Sequence, residues 1–426
     1  MKNIIFIKSF LLFFVCSLYA VDEDKFMLGK SFFTIPWVEA PSATTARDGL
    51  GPLYNANSCV ACHPFDGKGM LYTKTGSVSR SLIAKLSIDA NNSFEHQNFL
   101  NYKGFVPEPV YGNQLSINAT FGVKPEGRVD VSFEEKELTF FDGEKQVLLK
   151  PKYKVVDLNY GDMQPNTNIS YRMAPTLYGL GLIDQISNED ILANEDVDDK
   201  DGDGISGKAN FVYSNITKKY ELGKFTYKAS VPFLKEQIAG AAINDMGITT
   251  SIFQNENCTK FQKECNDAPK AKDKIDLPDN RLDAIKYYIE NLKVNSTKKD
   301  EKYISGLAIF ESLSCAKCHI TTFKTKQNEV INPFSDFLLH DMGDDLADGR
   351  VEFKASKNEW RTTPLWGISL YEKMNKQKQR FLHDGRARDI QEAILWHGGE
   401  ATNSKEGFMK LPKDKREELI KFIEEL

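Results

Sequence analysis

Two pentapeptides, Cys59-Val-Ala-Cys62-His63 and Cys315-Ala-Lys-Cys318-His319, constrain this chain more than any other feature. Each follows the C-x-x-C-H pattern for covalent attachment of a c-type haem. Two thiols three positions apart reach the two vinyl groups of one porphyrin, and the following residue places an imidazole on the iron axis. A thioredoxin-like dithiol or half of a zinc site uses the same cysteine spacing. Duplication, with a histidine closing each copy, favours two covalently bound haem c groups, one on Cys59, Cys62 and His63, the other on Cys315, Cys318 and His319.

The first twenty residues agree with that chemistry. Lys2 and Lys8 give a basic start, an apolar run includes Leu11 to Val15, and the stretch closes at Leu18-Tyr19-Ala20. This is short for a membrane anchor and has the form of a secretion signal cleaved near Ala20. Cys16 follows Phe14 and Val15 rather than the small residues of a lipoprotein signal. The mature chain is therefore expected to be exported, with no permanent membrane anchor. Cys258 and Cys265 lie in a polar segment and are expected to close a short disulfide in such an oxidising compartment.

The rest of the 426-residue chain is long enough for a large core and more than one structural unit. Its formal charge of −5 is spread over interleaved acidic and basic residues with no long basic tract. That excludes nucleic acid as the natural partner and leaves a small molecule or a redox protein.

Helical periodicity is clear at Asn280–Leu292, at Tyr303–Leu313 running into Cys315, at Ile390–His397 and at Lys415–Leu426, and a short helix is expected over 182–193. Val129–Phe133 and Leu138–Leu149 read as strands of a hairpin turning at Asp142-Gly143. The expected fold is mainly α: two cytochrome c-like haem domains, residues 21–300 and 301–426, the first carrying a small β insertion and an acidic loop. In that loop Asp199, Asp201 and Asp203 precede Gly204 at alternate positions, as in the first half of a calcium loop. Asn210 stands where the closing bidentate acid belongs, so a calcium ion and a solvated acidic turn both fit.

The sixth ligand of each iron decides between electron carriage and small-molecule chemistry. Met342 and His340, in Leu-His-Asp-Met-Gly, are candidates at the second iron. His383 and Arg386 are placed to face propionates or a distal pocket, with Asp384 orienting the imidazole. Trp360, Trp366 and Trp396 offer packing surface near the second haem. Near the first haem, no residue has decisive spacing.

Several stretches resemble one family. They are Glu359-Trp-Arg-Thr-Thr-Pro-Leu-Trp-Gly, Phe381-Leu-His-Asp-Gly-Arg-Ala-Arg, Ala393-Ile-Leu-Trp-His-Gly-Gly-Glu-Ala, Tyr111-Gly-Asn-Gln-Leu, Ala174-Pro-Thr-Leu-Tyr-Gly-Leu-Gly-Leu, Asp201-Gly-Asp-Gly-Ile-Ser-Gly and Asp245-Met-Gly-Ile-Thr. Together the chain resembles the di-haem oxidoreductases, often labelled thiol oxidoreductases or peroxidases and similar to bacterial di-haem cytochrome c peroxidases. The resemblance implies a periplasmic enzyme in which one haem takes electrons from a small donor protein and the other reduces peroxide or another small redox substrate. It also implies an acid and a base that help split the oxygen–oxygen bond, for which His383, Asp384 and Arg386 are the candidates, and calcium between the domains. Those relatives carry a methionine ligand just before His-Asp-Gly. Leu382 stands there in this chain, so Met342 replaces that ligand or the site is open. The alternative role is a non-catalytic electron-transfer or haem-sensing component.

Overall fold

The computed structural model describes residues 21–294, 297–370 and 380–426. The leader expected over 1–20 lies outside them. Among the described residues, no helix is long and apolar enough to cross a membrane.

The fold is not mainly α. It contains 29% helix and 20% strand, and among the described residues the strands form seven two-stranded sheets and none larger. The helices that matter for the site are α1 (Glu23–Thr34), α2 (Phe94–Lys103), α3 (Leu234–Met246), α4 (Asp279–Glu290), α5 (Glu301–Ser312), α6 (Ile390–Trp396), α7 (Thr402–Lys410) and α8 (Lys413–Glu424). The longer strands are β1 (Leu82–Ile88), β2 (Arg128–Thr139), β3 (Lys145–Val156) and β4 (Thr167–Met173), followed by the short β5 (Leu339–Asp341) and β6 (Glu359–Arg361). A fifth of the chain is therefore strand, some of it paired locally, as β2 with β3, and some with a distant segment, as β1 with β4. That pairing is invisible to helical periodicity and explains the correction. The helix expected over 182–193 is likewise broken into Leu180–Asp184 and Asn188–Leu192.

The helices near each C-x-x-C-H turn cross a partner at a glycine. A Cβ on Gly29 of α1 would lie 2.0 Å from the Ala284 carbonyl oxygen of α4, so only glycine permits this approach. Phe33 and Phe26 then pack on Tyr288, with ring centroids 5.3 and 4.9 Å apart. The Tyr288 hydroxyl donates to Asp66 Oδ1 at 2.7 Å, just beyond the first turn. In the same way a Cβ on Gly306 of α5 would lie 2.3 Å from Phe422 Cβ of α8. Phe310, one helical turn further, packs on Phe422 and on His319, with centroids 5.7 and 6.1 Å apart.

The hairpin expected from the sequence is present and longer than its turn suggested. β2 and β3 pair without interruption from Arg128–Val156 to Thr139–Lys145. Val129, Phe133, Tyr153 and Val155 join a core with β1 and β4, while Phe140 and Leu148 near the tip join the core of α5, α6 and α8. Arg416 of α8 clamps the tip. It lies 4.1 Å from the Phe140 ring centroid and donates to Asp142 Oδ2 at 2.9 Å.

A buried ionic cluster joins β4 to the 348–352 segment. Arg172 contacts Asp348 at 3.0 Å and Glu352 at 2.8 Å, Lys228 reaches Asp348 at 3.1 Å, and Arg350 reaches Glu352 at 2.9 Å. The cost of burying these charges is offset only while every member is paired. Asp348→Asn leaves Arg172 and Lys228 under-compensated. It is expected to lower unfolding stability by about 3–5 kcal/mol in denaturant titration, where a change under about 0.5 kcal/mol would mean the cluster is not structural.

Candidate haem cavity

Both C-x-x-C-H segments fold as the same local device, a single 3₁₀ turn (Cys59–Ala61 and Cys315–Lys317). The histidine N–H closes back on the first cysteine carbonyl at 2.9 Å in each. The imidazoles are then held alike: His63 Nδ1 lies 2.8 Å from the Pro175 carbonyl oxygen and His319 Nδ1 lies 2.8 Å from that of Phe334. A carbonyl only accepts, so Nδ1 carries the hydrogen and Nε2 carries the lone pair. Desolvation lowers both pKa values, that of His319 to about 4, which keeps the rings neutral and the lone pairs available.

The four motif cysteines form no disulfide. Burial pushes the Cys59 and Cys315 thiols up to about 12. A dithiol catalyst draws on a thiolate with a lowered pKa; the shift here runs the other way.

Both turns open onto one cavity of about 1400 Å³, walled mainly by apolar side chains and lined by all six histidines of the chain. Pockets for a single small ligand run to roughly 1000 Å³, so this one has room for more than one. Thr176, beside the carbonyl that holds His63, also lines it, and its buried Oγ1 has no hydrogen-bond partner among the described residues. A bound carboxylate such as a haem propionate would satisfy it. The residues present thus fit two porphyrins: thiols for the vinyl groups, oriented imidazoles for the irons, and an apolar enclosure.

The remaining histidines differ. His340 does not fit the expected metal-ligand role, because both ring nitrogens are taken: Nε2 by Asp336 at 2.7 Å and Nδ1 by Glu400 at 2.6 Å. Burial opposes its charge, but the hydrogen bonds to Asp336 and Glu400 hold its pKa well above the ordinary value. It is an imidazolium without a lone pair to give. Met342, two residues after His340, is half-buried and lines the same cavity. His397 caps α6, with Nδ1 2.7 Å from the Ala393 carbonyl oxygen.

His383 lies in the cavity wall, stacked on Trp360 with centroids 3.8 Å apart and planes at 11°. Burial lowers its pKa to about 3, so it is neutral. The expected orienting bond from Asp384 is not made. Their closest approach is 3.9 Å, and the Asp384 carboxylate is instead spent on Arg386 at 2.8–3.1 Å. That Coulombic pairing, working against burial, holds Asp384 at about 2. Asp384 and Arg386 serve each other, and neither is poised to exchange a proton.

The sequence reading missed a polar group on the wall near the first turn. Gln114 Nε2 donates to Asp245 Oδ1 at 2.8 Å and to Asn55 Oδ1 at 3.1 Å, while Lys85 Nζ donates to Gln114 Oε1 at 3.1 Å. Burial raises the Asp245 pKa and lowers that of Lys85 to about 8. Lys68, pushed down to about 7 by burial, donates to the Leu382 carbonyl at 2.6 Å. The only sequence signals were the Tyr111-Gly-Asn-Gln and Asp245-Met-Gly stretches, which carry no chemistry until β1, the 113–115 segment and α3 bring them together.

In the acidic loop the carboxylates that converge, within 4.8 Å, are Asp196, Asp199 and Asp201. Asp203 does not join them; it pairs with Lys317 at 2.9 Å, and so ties the loop to the second C-x-x-C-H turn.

A family model described as "Di-haem oxidoreductase, putative peroxidase" matches residues 15–426. No curated protein matches the chain. A solved structure of hydrazine synthase from Kuenenia stuttgartiensis, pressurized with 20 bar xenon, is similar at 16% identity with a TM-score of 0.25. The match covers 45% of this chain and 61% of that one, so this chain spans about three-fifths of its length. A score this low carries no functional argument.

Glu400→Gln tests the His340 arrangement. With Glu400 held at about 2 in the fold, against burial, by the hydrogen bond and charge of His340, its contribution is fully present above the unfolded carboxylate pKa and fades as pH falls toward 2. The variant is expected to lose about 2 kcal/mol at pH 7, less than outright removal of a buried partner because Gln still hydrogen-bonds. The gap from the unsubstituted protein, followed by thermal melting, narrows below about pH 4.5; a gap independent of pH contradicts the assignment.

Proposed function

Because the chain belongs to the di-haem oxidoreductase family, matched over residues 15–426, we propose that it is an exported enzyme. In this reading it reduces a peroxide with electrons from a small periplasmic redox protein. Cys59, Cys62 and His63 would hold one haem, and Cys315, Cys318 and His319 the other. The Cys258–Cys265 disulfide supports an oxidising compartment. The haems, when bound, supply the redox chemistry: two electrons delivered to the oxygen–oxygen bond.

The chain's own residues do the rest. His63 and His319 present Nε2 because Pro175 and Phe334 hold Nδ1, and such a bond fixes the ring and raises its basicity as a ligand. Reduction of a peroxide to an alcohol or water also takes up two protons. The observation that carries the assignment is the Lys85–Gln114–Asp245 group on the wall near the first turn. Gln114 orients the Asp245 carboxylate, which accepts a proton at Oδ. Lys85 Nζ, with a pKa of about 8, holds one close to neutral pH. General acid–base help of this kind contributes about 10²–10⁴-fold.

Purified mature protein should have the mass of the polypeptide plus two haems, and Cys315→Ala/Cys318→Ala should lose one of them. Asp245→Asn is expected to retain both haems while peroxide turnover with a reduced carrier cytochrome falls about 100-fold. Unchanged turnover would remove Asp245 from the reaction. Turnover no greater than that of free haem, in protein carrying both haems, would leave electron transfer or haem sensing as the role.

A further inference from the structure

The ring nitrogens sort the six cavity histidines. His340 has none free. His96 on α2 accepts the Asn91 N–H at Nδ1 (3.0 Å), so its Nε2 carries the hydrogen and is a donor. His383 is covered on one face by Trp360, and no hydrogen bond fixes its tautomer. The other three share one arrangement: Nδ1 on a backbone carbonyl at 2.8, 2.8 and 2.7 Å in His63, His319 and His397. In each, Nε2 carries a lone pair with no hydrogen-bond partner among the described residues. Two of the three belong to the C-x-x-C-H turns. His397 is a third imidazole prepared in the same way, on the same cavity, with no turn of its own.

We propose that His397 Nε2 is the sixth ligand of the iron held by His319, an inference that rests on the second haem being attached at Cys315 and Cys318. Position supports it. His397 and His319 line the same cavity, and Ile394, one turn before His397, packs in the core that contains Phe310, the ring against His319. Rigidity supports it as well. The His397 N–H closes on Ile394 at 3.1 Å, and Trp396 beside it is 2% exposed. The following Gly398 and Gly399 press on β5: a Cβ would lie 3.0 Å from the Met342 carbonyl oxygen and 2.2 Å from that of Asp341. A ligand held by its own helix and by two close glycine contacts presents its lone pair at little conformational cost. Met342 is the competitor from the same neighbourhood, but its flexible thioether has no such orientation. With two imidazoles the second iron is closed to peroxide and serves to pass electrons. The first, beside Lys85–Gln114–Asp245 and without a second prepared imidazole, is left to react.

The test uses the full-length exported protein with both haems attached, verified by mass. Reduced protein should bind one carbon monoxide per chain, and near-infrared magnetic circular dichroism should show a bis-imidazole haem and no thioether-ligated one. His397→Ala should raise carbon monoxide binding to two per chain and shift the potential of the second haem. His397→Met should return it to one, with a thioether band appearing. Binding that stays at one in His397→Ala, or that rises to two in Met342→Leu, overturns the proposal. Should His397→Ala fail to mature, a thioether band in the unsubstituted protein overturns it and a bis-imidazole band supports it. A mass lacking the second haem defeats the underlying attachment instead, and is read separately from all of these.

Discussion

The rest of the structure depends on a hydrogen bond made twice: a buried imidazole giving its Nδ1 hydrogen to a main-chain carbonyl, His63 to Pro175 and His319 to Phe334. The bond decides the tautomer, and the tautomer decides that each Nε2 carries the lone pair. The carbonyls are positioned by distant parts of the chain. Pro175 follows β4, whose register with β1 runs from Leu82–Met173 to Ile88–Thr167. Phe334 is packed by Phe310 and Phe422, whose helices cross at Gly306. Chemistry written in five residues therefore becomes a site only through contacts made far away in the sequence.

What could be read from the sequence follows from which contacts are local. The C-x-x-C-H turns, the hairpin around Asp142-Gly143 and the helices α4, α5, α6 and α8 were all legible, because each is specified by spacing within about a dozen residues. The pairing of β1 with β4 was not. Leu82-Ile-Ala-Lys-Leu-Ser-Ile is buried on both faces at most positions and shows no alternation, and a run of that kind does not announce its partner. A balance of many two-stranded ribbons with helices was for the same reason misjudged as mainly helical.

The site divides along the same line. The two C-x-x-C-H segments were evident from spacing, whereas Lys85, Gln114 and Asp245 come from β1, the 113–115 segment and α3, and have no common motif. The errors were errors of partnership. His340 looked like a ligand until Asp336 and Glu400 were found on its two nitrogens. Asp384 looked like an orienting acid for His383, but Arg386, two residues on, holds it more closely. In a low-dielectric interior a carboxylate is claimed by the cation that reaches it with the best geometry, and neighbouring letters do not reveal which one that is. At the surface Lys317 reaches both Asp203, at 2.9 Å, and Asp201, at 3.4 Å, so one cation ties the acidic loop to the second turn.

The central claim is that two oriented imidazoles share one cavity built to enclose two haems. An experimental structure of the haem-loaded protein tests it most directly. The account requires both porphyrins within that single cavity, iron bonded to Nε2 of His63 and of His319, and each Nδ1 still on its carbonyl. Two separate pockets, iron on Nδ1, or a metal bridging the cysteine sulfurs would contradict it.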